Sequence, residues 1–236
     1  MKLLQVSLIL CFLYQNVISY RILGVLPVPS KSHYYIGHNL LKGLAKEGHD
    51  VTVITPILDK NPIKNYKEVF LEHSWDNFRK ISAKDNFVDF SNMHVWNMIF
   101  KYFDVGMDMT NWALESKNLQ EFMKIKQHFD VVVVEVCVDE ALLGFGNYYN
   151  APVVAISAFG ASKWTTDLVG SPNFASFRDQ PRTPLETGMH WVKHVAKNKG
   201  APHLRSVAVD LPFFKLYNLD VSAFIFGVIA LTLFLL

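Results

Sequence analysis

Three side chains in this 236-residue sequence have the types and positions to move a proton: one histidine and two carboxylates. His33 follows a proline-punctuated loop at the predicted start of a helix. Glu135 stands near the end of a run of valines, and Asp139 comes a few residues later. A carboxylate beside a histidine orients the ring and stabilises its charged form, which makes the imidazole a general base. The sequence therefore predicts proton abstraction by His33, with Glu135 or Asp139 as its support.

Each of these residues also has a plainer interpretation. The positive end of a helix dipole favours a neutral, proton-accepting imidazole at His33, but a lone histidine near a helix start is usually only a polar cap. An unpaired carboxylate buried in an apolar run is costly, so Glu135 needs either a partner or a function. Asp139 is a good N-cap for the helix that follows it, with Glu140 in the first turn.

The elements that must position these residues begin with a strand, a helix and a strand within Arg21 to Pro56. Arg21 to Leu26 and Val51 to Thr55 are apolar strand candidates. The helix between them, Ser32 to Lys46, carries Ile36, Leu40 and Leu44 on one face. His38 on its outer face and His49 in its terminal turn are predicted to be structural. This pattern forms one right-handed crossover unit of an α/β fold.

The same pattern returns further along the chain. Val131 to Val136 is a continuous β-branched run of the kind that a parallel sheet buries on both faces, and Asp139 to Tyr149 and Pro152 to Ile156 follow as helix and strand. Ligands of open α/β sheets bind outside the carboxyl ends of the strands. His33 and Glu135 are both predicted to lie at that edge.

A long insertion, Asn61 to Gln127, separates the two halves and is rich in aromatic residues and methionine. Such residues at irregular helical spacing are most often core. The functional alternative is a plastic apolar pocket for small lipophilic molecules. The residues concerned are Trp75, Phe78, Phe87, Phe90, Trp96, Met98, Phe100, Tyr102, Phe103, Met107, Met109 and Trp112.

Both ends of the chain are apolar. Residues 1–19 have an early lysine, an apolar run and a small residue at a plausible cleavage point, which is the pattern of a secretory signal peptide. Val221 to Leu236 carries no charge, and it is shorter than the ~20 residues that span a bilayer comfortably. We expect a membrane anchor there, with a buried core helix as the alternative. A cleaved signal would make the body lumenal.

Composition argues against nucleic acid as a partner, and the number of cysteines limits their possible roles. A formal net charge of +2 with both signs interspersed offers no basic field for nucleic acid. Cys11 would leave with the signal, so the mature chain would hold only Cys137, which we expect to be a buried packing residue. No metal-ligand cluster or cofactor motif is expected.

Three stretches resemble the membrane-bound UDP-glycosyltransferases, in particular the insect branch related to the UDP-glucuronosyltransferases. They read RILGVLPVPSKSHYYIGHNLLKGLAKEGHDVTVITP, FDVVVVEVCVDEALLGFGNYYNAPVVAISAFG and FRDQPRTPLETGMHWVKHVAKNKGAPHLRSVAVDLPFFKLYNLDV. The resemblance implies a Rossmann-like N-terminal domain of a GT-B glycosyltransferase, followed by C-terminal helices and a membrane anchor. It divides the chain into a signal peptide at 1–19, an acceptor-binding domain at 20–173, a remnant of the C-terminal domain at 174–218 and an anchor at 219–236.

The resemblance also implies a reaction and its residues. A histidine at the position of His33 removes the proton of a small lipophilic acceptor, whose oxygen attacks the anomeric carbon of a UDP-sugar with inversion. The supporting acid of the family is usually aspartate; Glu135 matches that position, and Asp139 is the runner-up. UDP-sugar is a co-substrate, and no cofactor is implied. The implied location is the endoplasmic reticulum membrane, as a single-pass type I protein with a lumenal body.

One part of the family pattern is absent from the sequence. The donor-binding half carries a tryptophan-proline-glutamine motif and a histidine-rich glycine stretch, and neither occurs between Ser171 and Arg178. We therefore expect the chain to be inactive alone and to use a UDP-sugar only if that half is supplied. Two hypotheses follow: an incomplete form of an active enzyme, or a membrane-tethered short form that binds lipophiles or pairs with full-length UDP-glycosyltransferases.

Overall fold

The computed structural model describes residues 19–85, 94–137, 140–158 and 183–201, together with residues 212, 219, 223–227, 229 and 232. Contacts divide the chain into two units. The first joins Met1–Ala158 with Gln180–Gly200, and the second joins Phe159–Asp179 with Ala201–Leu236. In the second unit residues 223–227 are helical. All the strands described below belong to the first unit.

The first unit is built on a five-stranded parallel sheet in the order β3-β2-β1-β4-β5. The strands are β1 (Arg21–Val25), β2 (Asp50–Thr55), β3 (Tyr66–Phe70), β4 (Val131–Glu135) and β5 (Val153–Ile156). β4 is buried along its whole length, as its run of valines predicts. The predicted fold class, a Rossmann-like α/β domain, is confirmed.

Helices connect these strands and cover the sheet. They are α1 (Lys31–Lys46), α2 (Ser74–Asp85), α3 (Val95–Glu115), α4 (Lys117–Lys124), α5 (Gly144–Tyr149) and α6 (Pro184–Asn198). The helix predicted to run from Asp139 to Tyr149 is instead a 3-10 turn, Glu140–Leu143, followed by the short α5. The predicted insertion holds β3 as well as α2, α3 and α4. The strand was missed because YKEVF is a short, half-buried edge strand.

The helix α1 packs tightly on the strand that precedes it. Leu41 and Leu44 are fully buried, and a Cβ atom at Gly24 of β1 would stand only 2.3 Å from Leu41 Cδ1. Glycine therefore lets the helix approach the sheet at this point. Leu40 and Leu44 are buried as predicted, but Ile36 is exposed. The predicted apolar face of α1 included Ile36, whereas the observed buried face contacts β1 through Leu41.

His38 corrects another expectation, since it is buried and not on an outer face. The hydroxyl of Tyr66 lies 2.8 Å from His38 Nδ1, and burial raises the pKa of Tyr66, so the phenol stays protonated and donates. Burial has the opposite effect on the histidine and lowers the pKa of His38. Asp59 lies 3.8 Å from His38 Nε2 and pairs with Lys42. This buried polar network ties α1 to β3 and to the loop before it.

A carboxylate from the loop after β3 holds the corner between α3 and α4. Glu72 accepts hydrogen bonds from the Ser116 hydroxyl and from the backbone N–H groups of Lys117 and Asn118. Burial raises the pKa of Glu72, but these donors outweigh it and hold the pKa below its usual range. Ser116 also caps α4 by accepting from Leu119 N. Three donors at the start of α4 are thus satisfied from a distant part of the chain.

The helix α6 packs against α1 and against the last two strands. It begins with a capping box between Thr183 and Glu186 and a proline in its first turn. Gly188 faces Leu40 of α1, and Gly43 of α1 faces Met189, so small residues let the two helices approach closely. This part of the predicted C-terminal remnant therefore docks on the sheet unit.

Several predictions fall outside the described residues. These are Asp139, residues 1–18 of the predicted signal peptide, Phe87 and Phe90, and most of residues 219–236. Within the described part of the chain, no helix combines the length and the apolar composition needed to cross a bilayer.

Candidate active site

His33 is positioned by a short loop between β1 and α1. Ser30 is the N-cap of α1 with an extended backbone, and its N–H bonds to the carbonyl of Val28 at 2.8 Å. The side chain of Ser30 does not cap the helix; its hydroxyl lies 3.0 Å from that of Ser32. His33 is therefore the third residue of a helix whose first turn opens at the carboxyl end of the sheet.

Glu135 is the last residue of β4, the strand next to β1. Val134 pairs with Val25, so Glu135 stands just beyond the last paired position of β1. Its side chain is 2% exposed. The carboxylate is placed at this edge because the strand ends there, between two neighbouring parallel strands.

The structure brings the two side chains together. His33 Nδ1 lies 2.6 Å from Glu135 Oε1, across 102 positions of sequence. With Glu135 ionised, Nδ1 carries the hydrogen and donates it, which leaves the basic lone pair of the ring on Nε2. The His33 side chain is 13% exposed, so the ring is held in place but still reaches the surface. A carboxylate at this distance can fix the orientation and the tautomer of the imidazole ring.

The second oxygen of the carboxylate has a different environment. Glu135 Oε2 is buried and has no hydrogen-bond partner among the described residues. Leaving half of a buried carboxylate unsatisfied costs free energy. That cost is tolerated most readily where the group has a chemical task, such as stabilising the imidazolium that forms when His33 takes a proton.

An apolar cluster lies at the same edge of the sheet. Val28 comes from the loop that leads to His33, and Cys137 comes two residues after Glu135. Val105 and Met109 of α3 complete its buried centre, and Phe78, Ile81 and Trp112 pack against it. The prediction that Cys137 is a buried packing residue is confirmed. α2 and α3 therefore place apolar and aromatic side chains against the segments that follow β1 and β4, the strands whose ends carry His33 and Glu135.

Sequence reasoning found only part of this cluster. Phe78, Met109 and Trp112 belong to the predicted aromatic insertion, whereas Val28 and Val105 were missed. The signal for Val28 is an apolar residue between two prolines, which is a weak pattern on its own. Asp139, the alternative acid, lies outside the described residues.

A cavity of about 480 Å³ opens at the opposite edge of the sheet and is separate from the histidine. Its walls come from the segments before β4 and β5 and from the end of α6, including Phe129, Asp130, Asn150, Pro152 and Lys199. The amino ends of parallel strands are not the edge at which ligands of such sheets bind. Within the described residues, no group of three or more metal-ligating side chains is present.

Known proteins match part of the chain. Residues 174–236 match the family of UDP-glucoronosyl and UDP-glucosyl transferases. The chain is 45% identical to UDP-glycosyltransferase UGT5 of Dactylopius coccus over 21% of its length and 9% of that relative's. It is 44% identical to human UDP-glucuronosyltransferase 2A3 over 24% of its length and 11% of that relative's. It is 41% identical to UDP-glucuronosyltransferase 2B33 of Macaca mulatta over 25% of its length and 11% of that relative's.

These matches span only about a tenth of each of these three relatives. No solved structure matches the chain. The helix α6 lies within the matched segment, and it docks on a parallel α/β sheet of the kind that the family resemblance predicts. The C-terminal segment of this chain is thus similar to UDP-glycosyltransferases, of which it matches only a part.

Proposed function

We propose that the described unit is the acceptor half of a UDP-glycosyltransferase that transfers a hexosyl group from a UDP-sugar to small lipophilic acceptors. One observation carries the proposal: His33 Nδ1 lies 2.6 Å from the buried carboxylate of Glu135, at the carboxyl edge of the parallel sheet. A histidine base fixed by an acid suits the removal of a proton from a hydroxyl group.

In the proposed reaction His33 Nε2 takes the proton of an acceptor hydroxyl. The acceptor oxygen then attacks the anomeric carbon of the sugar, the bond from that carbon to the diphosphate oxygen breaks, and UDP leaves. The new glycosidic bond forms on the opposite face, so the configuration inverts. Glu135 holds the ring in the tautomer that leaves Nε2 basic and stabilises the imidazolium that forms.

The apolar cluster formed with the segments after β1 and β4 supports a lipophilic acceptor. Phe78, Met109 and Trp112 can adapt to molecules of different shape, because aromatic and thioether side chains make favourable contacts with many apolar surfaces. An acceptor held there would present its hydroxyl to His33 at the edge of the cluster. Positioning of this kind lowers the entropic cost of bringing the reactants together.

The donor side is the weak part of the proposed site. The departing diphosphate needs backbone donors and helix N-termini to stabilise its charge. The donor-binding signature is absent from the sequence between Ser171 and Arg178. We therefore propose that this chain alone does not transfer sugar, and that a donor-binding half must be supplied to it.

The proposed location is the endoplasmic reticulum membrane, with the sheet unit in the lumen and residues 219–236 as anchor. The second candidate function is a non-catalytic short form that binds lipophiles or modulates full-length enzymes. Two observations favour it. The donor signature is missing, and α6 packs against α1 and the last two strands of the sheet unit. The two functions differ in whether the histidine ever acts on a hydroxyl.

The test measures transfer of radiolabelled sugar from UDP-sugar to a phenol. The chain alone should give no product, and UDP should not raise its unfolding temperature, since only a ligand of the native state stabilises it. Residues 1–173 joined to the donor-binding half of an insect relative should restore transfer. Turnover by the chain alone would overturn the proposed inactivity.

Variants of that fused enzyme test the pair itself. His33→Ala should lower kcat by at least ~100-fold, the usual contribution of a general base. Glu135→Gln should also lower kcat, and Glu135→Asp should recover part of it. His128→Ala is the control, because His128 is exposed and lies before β4 at the other edge of the sheet. Full activity of His33→Ala would overturn the assignment of the base.

A further inference from the structure

The residue that precedes β1 lies against the end of α1. The carbonyl of Tyr20 accepts a hydrogen bond from Asp50 N at 2.9 Å, which holds Tyr20 beside the start of β2. The backbone N–H of Tyr20 donates to Nδ1 of His49 at 3.3 Å. His49 follows the turn that ends α1, and it is 4% exposed. A buried imidazole therefore accepts a hydrogen bond from the backbone at the first position of the sheet unit.

The sequence predicts a proteolytic cut at this same position. Residues 1–19 have the pattern of a secretory signal peptide, and Ser19 is the small residue at the cleavage point. Hydrolysis of the Ser19–Tyr20 peptide bond by water leaves a carboxylate on Ser19, which departs with the signal peptide, and an amino group on Tyr20. An α-amino group has a pKa of about 7.7–8.0, so it is mostly protonated at pH 7. Cleavage thus creates a positive charge on Tyr20 N.

We propose that His49 and the end of α1 form a docking site for the α-ammonium group of Tyr20, which cleavage of the signal peptide creates. Asp50 continues to hold the carbonyl of Tyr20, so the new terminus stays beside Nδ1 of His49. This site is independent of sugar transfer, because its ligand is the N-terminus of the chain itself and its test needs no catalysis.

The length of the observed contact suits this ligand. Amide donors in proteins lie mostly ~2.7–3.2 Å from their acceptors, and the 3.3 Å between Tyr20 N and His49 Nδ1 exceeds that range. Hydrogen bonds from a charged donor are shorter and roughly twice as strong. A terminal ammonium is no longer restrained by the planar peptide bond to Ser19, so it is free to shorten the contact.

The imidazole has the protonation state that the site requires. Its ring packs against the ring of Tyr20, with centroids 5.4 Å apart. Burial lowers the pKa of His49, so the ring is neutral at pH 7 and keeps a lone pair on Nδ1. The hydrogen is then on Nε2, which is buried and has no hydrogen-bond partner among the described residues. Oε2 of Glu47 lies 4.0 Å from Nε2, so a negative charge stands on the far side of the ring.

The end of α1 also favours a cation. Its last carbonyl groups carry the negative end of the helix dipole. The carbonyl of Gly48 accepts from Ser19 Oγ at 2.9 Å, and that donor departs with the signal peptide. Glu47 precedes Gly48 and binds Lys193 of α6 at 2.7 Å. The ammonium therefore brings donors to a place that loses one, and it joins a network of charges that ends on α6.

Two measurements on the full chain, made in secretory cells, test the site. Mass spectrometry should show that the mature chain begins at Tyr20. A glycine-serine-glycine insertion after Ser19 keeps the cut in place but leaves a neutral amide at Tyr20. Urea unfolding in detergent should then give the mature chain an unfolding constant about two- to fivefold lower than that of the insertion variant, the usual effect of a charge at a helix end. Another first residue, or equal stability of the two chains, would overturn the proposal.

Substitutions combined with the insertion test which residues hold the ammonium. Glu47→Gln should at least halve the difference in stability between the two termini, and His49→Ala should abolish it. Glu115→Gln, which changes an exposed acid at the end of α3, should leave the difference unchanged. If His49→Ala does not fold, Glu47→Gln decides the question alone. A difference of full size in the substituted chains would overturn the site.

Discussion

The helices α1 and α3 are the two longest in the described part of the chain, and they differ in how completely they are covered. α1 is packed on β1 through Leu41, tied to β3 by a buried network around His38, and flanked by α6. α3 buries one side against the apolar cluster and exposes the other, including Phe100 and Met107. Among the described residues, α1 is therefore covered over more of its surface than α3.

This difference separates two tasks. The α1 side supplies a rigid support for His33, because each turn of the helix has a fixed neighbour. The α3 side supplies an apolar wall whose outer surface carries exposed apolar side chains. We expect substitutions on the covered side to reduce stability more than substitutions on the outer side of α3.

Leu41→Ala should show the largest effect on stability. Leu41 is fully buried and fills the space over Gly24, so truncation leaves a cavity between α1 and the sheet. Leucine-to-alanine changes at such sites cost ~2–5 kcal/mol. Urea unfolding should show a lower midpoint with an unchanged slope. A loss of unfolding free energy below ~1 kcal/mol would mean that α1 is not packed more completely than α3.

Glu72→Ala tests the best-anchored point on the α3 side. The carboxylate satisfies three donors at the start of α4, and its removal should cost ~1–3 kcal/mol of unfolding free energy. Glu115→Ala, an exposed acid at the end of α3, should cost less than ~0.5 kcal/mol. Equal effects in urea unfolding would show that the corner between α3 and α4 does not depend on Glu72.

A pH titration of stability tests the network around His38. Burial lowers the pKa of His38 below its ordinary value of ~6.5, so the unfolded chain binds a proton more readily than the folded one. The stability contributed by neutral His38 is complete above about pH 6.5 and is lost as the pH falls through the folded pKa. Each pH unit in that window should cost ~1 kcal/mol, measured by urea unfolding at pH 7.5 and 5.5.

His38→Gln should reduce that loss, because the amide can still accept from Tyr66 but does not titrate. It should not abolish the loss, since burial also lowers the pKa of His49. If the variant loses as much stability on acidification as the unsubstituted chain, His38 is not the group responsible.

Met107→Ala should show the smallest effect on stability. Its side chain is mostly exposed, so the free energy of unfolding at low protein concentration should change by less than ~0.5 kcal/mol. A destabilisation comparable to that of Leu41→Ala would show that the outer surface of α3 is covered within the chain.

The sequence was sufficient for the elements with strong periodicity. β1, α1, β2 and β4 lie within one or two residues of their predicted bounds, because glycine, proline and runs of β-branched residues mark them. The neighbouring strand ends of β1 and β4 made contact between His33 and Glu135 a reasonable prediction, and the contact is present.

Other features depend on partners that local patterns do not reveal. The burial of His38 requires Tyr66 and Asp59, which come from an unpredicted strand and the loop before it. The exposure of Ile36 depends on which turn of α1 meets Gly24. The aromatic residues of α3 divide between the apolar cluster and the outer surface, and their composition alone cannot separate the two groups.

The pairing of β1 with β4 has a consequence for how the site comes into existence. Ile22 lies opposite Val131, so more than a hundred residues must be gathered before these strands meet, whereas β1 and β2 are joined by a short crossover. Closing a long loop is entropically costly, and non-local pairing slows folding. The crossover unit that contains His33 can therefore form early during synthesis. The carboxylate of Glu135 can reach His33 only after β4 has been made and inserted beside β1, so the pair is completed late in the assembly of the sheet.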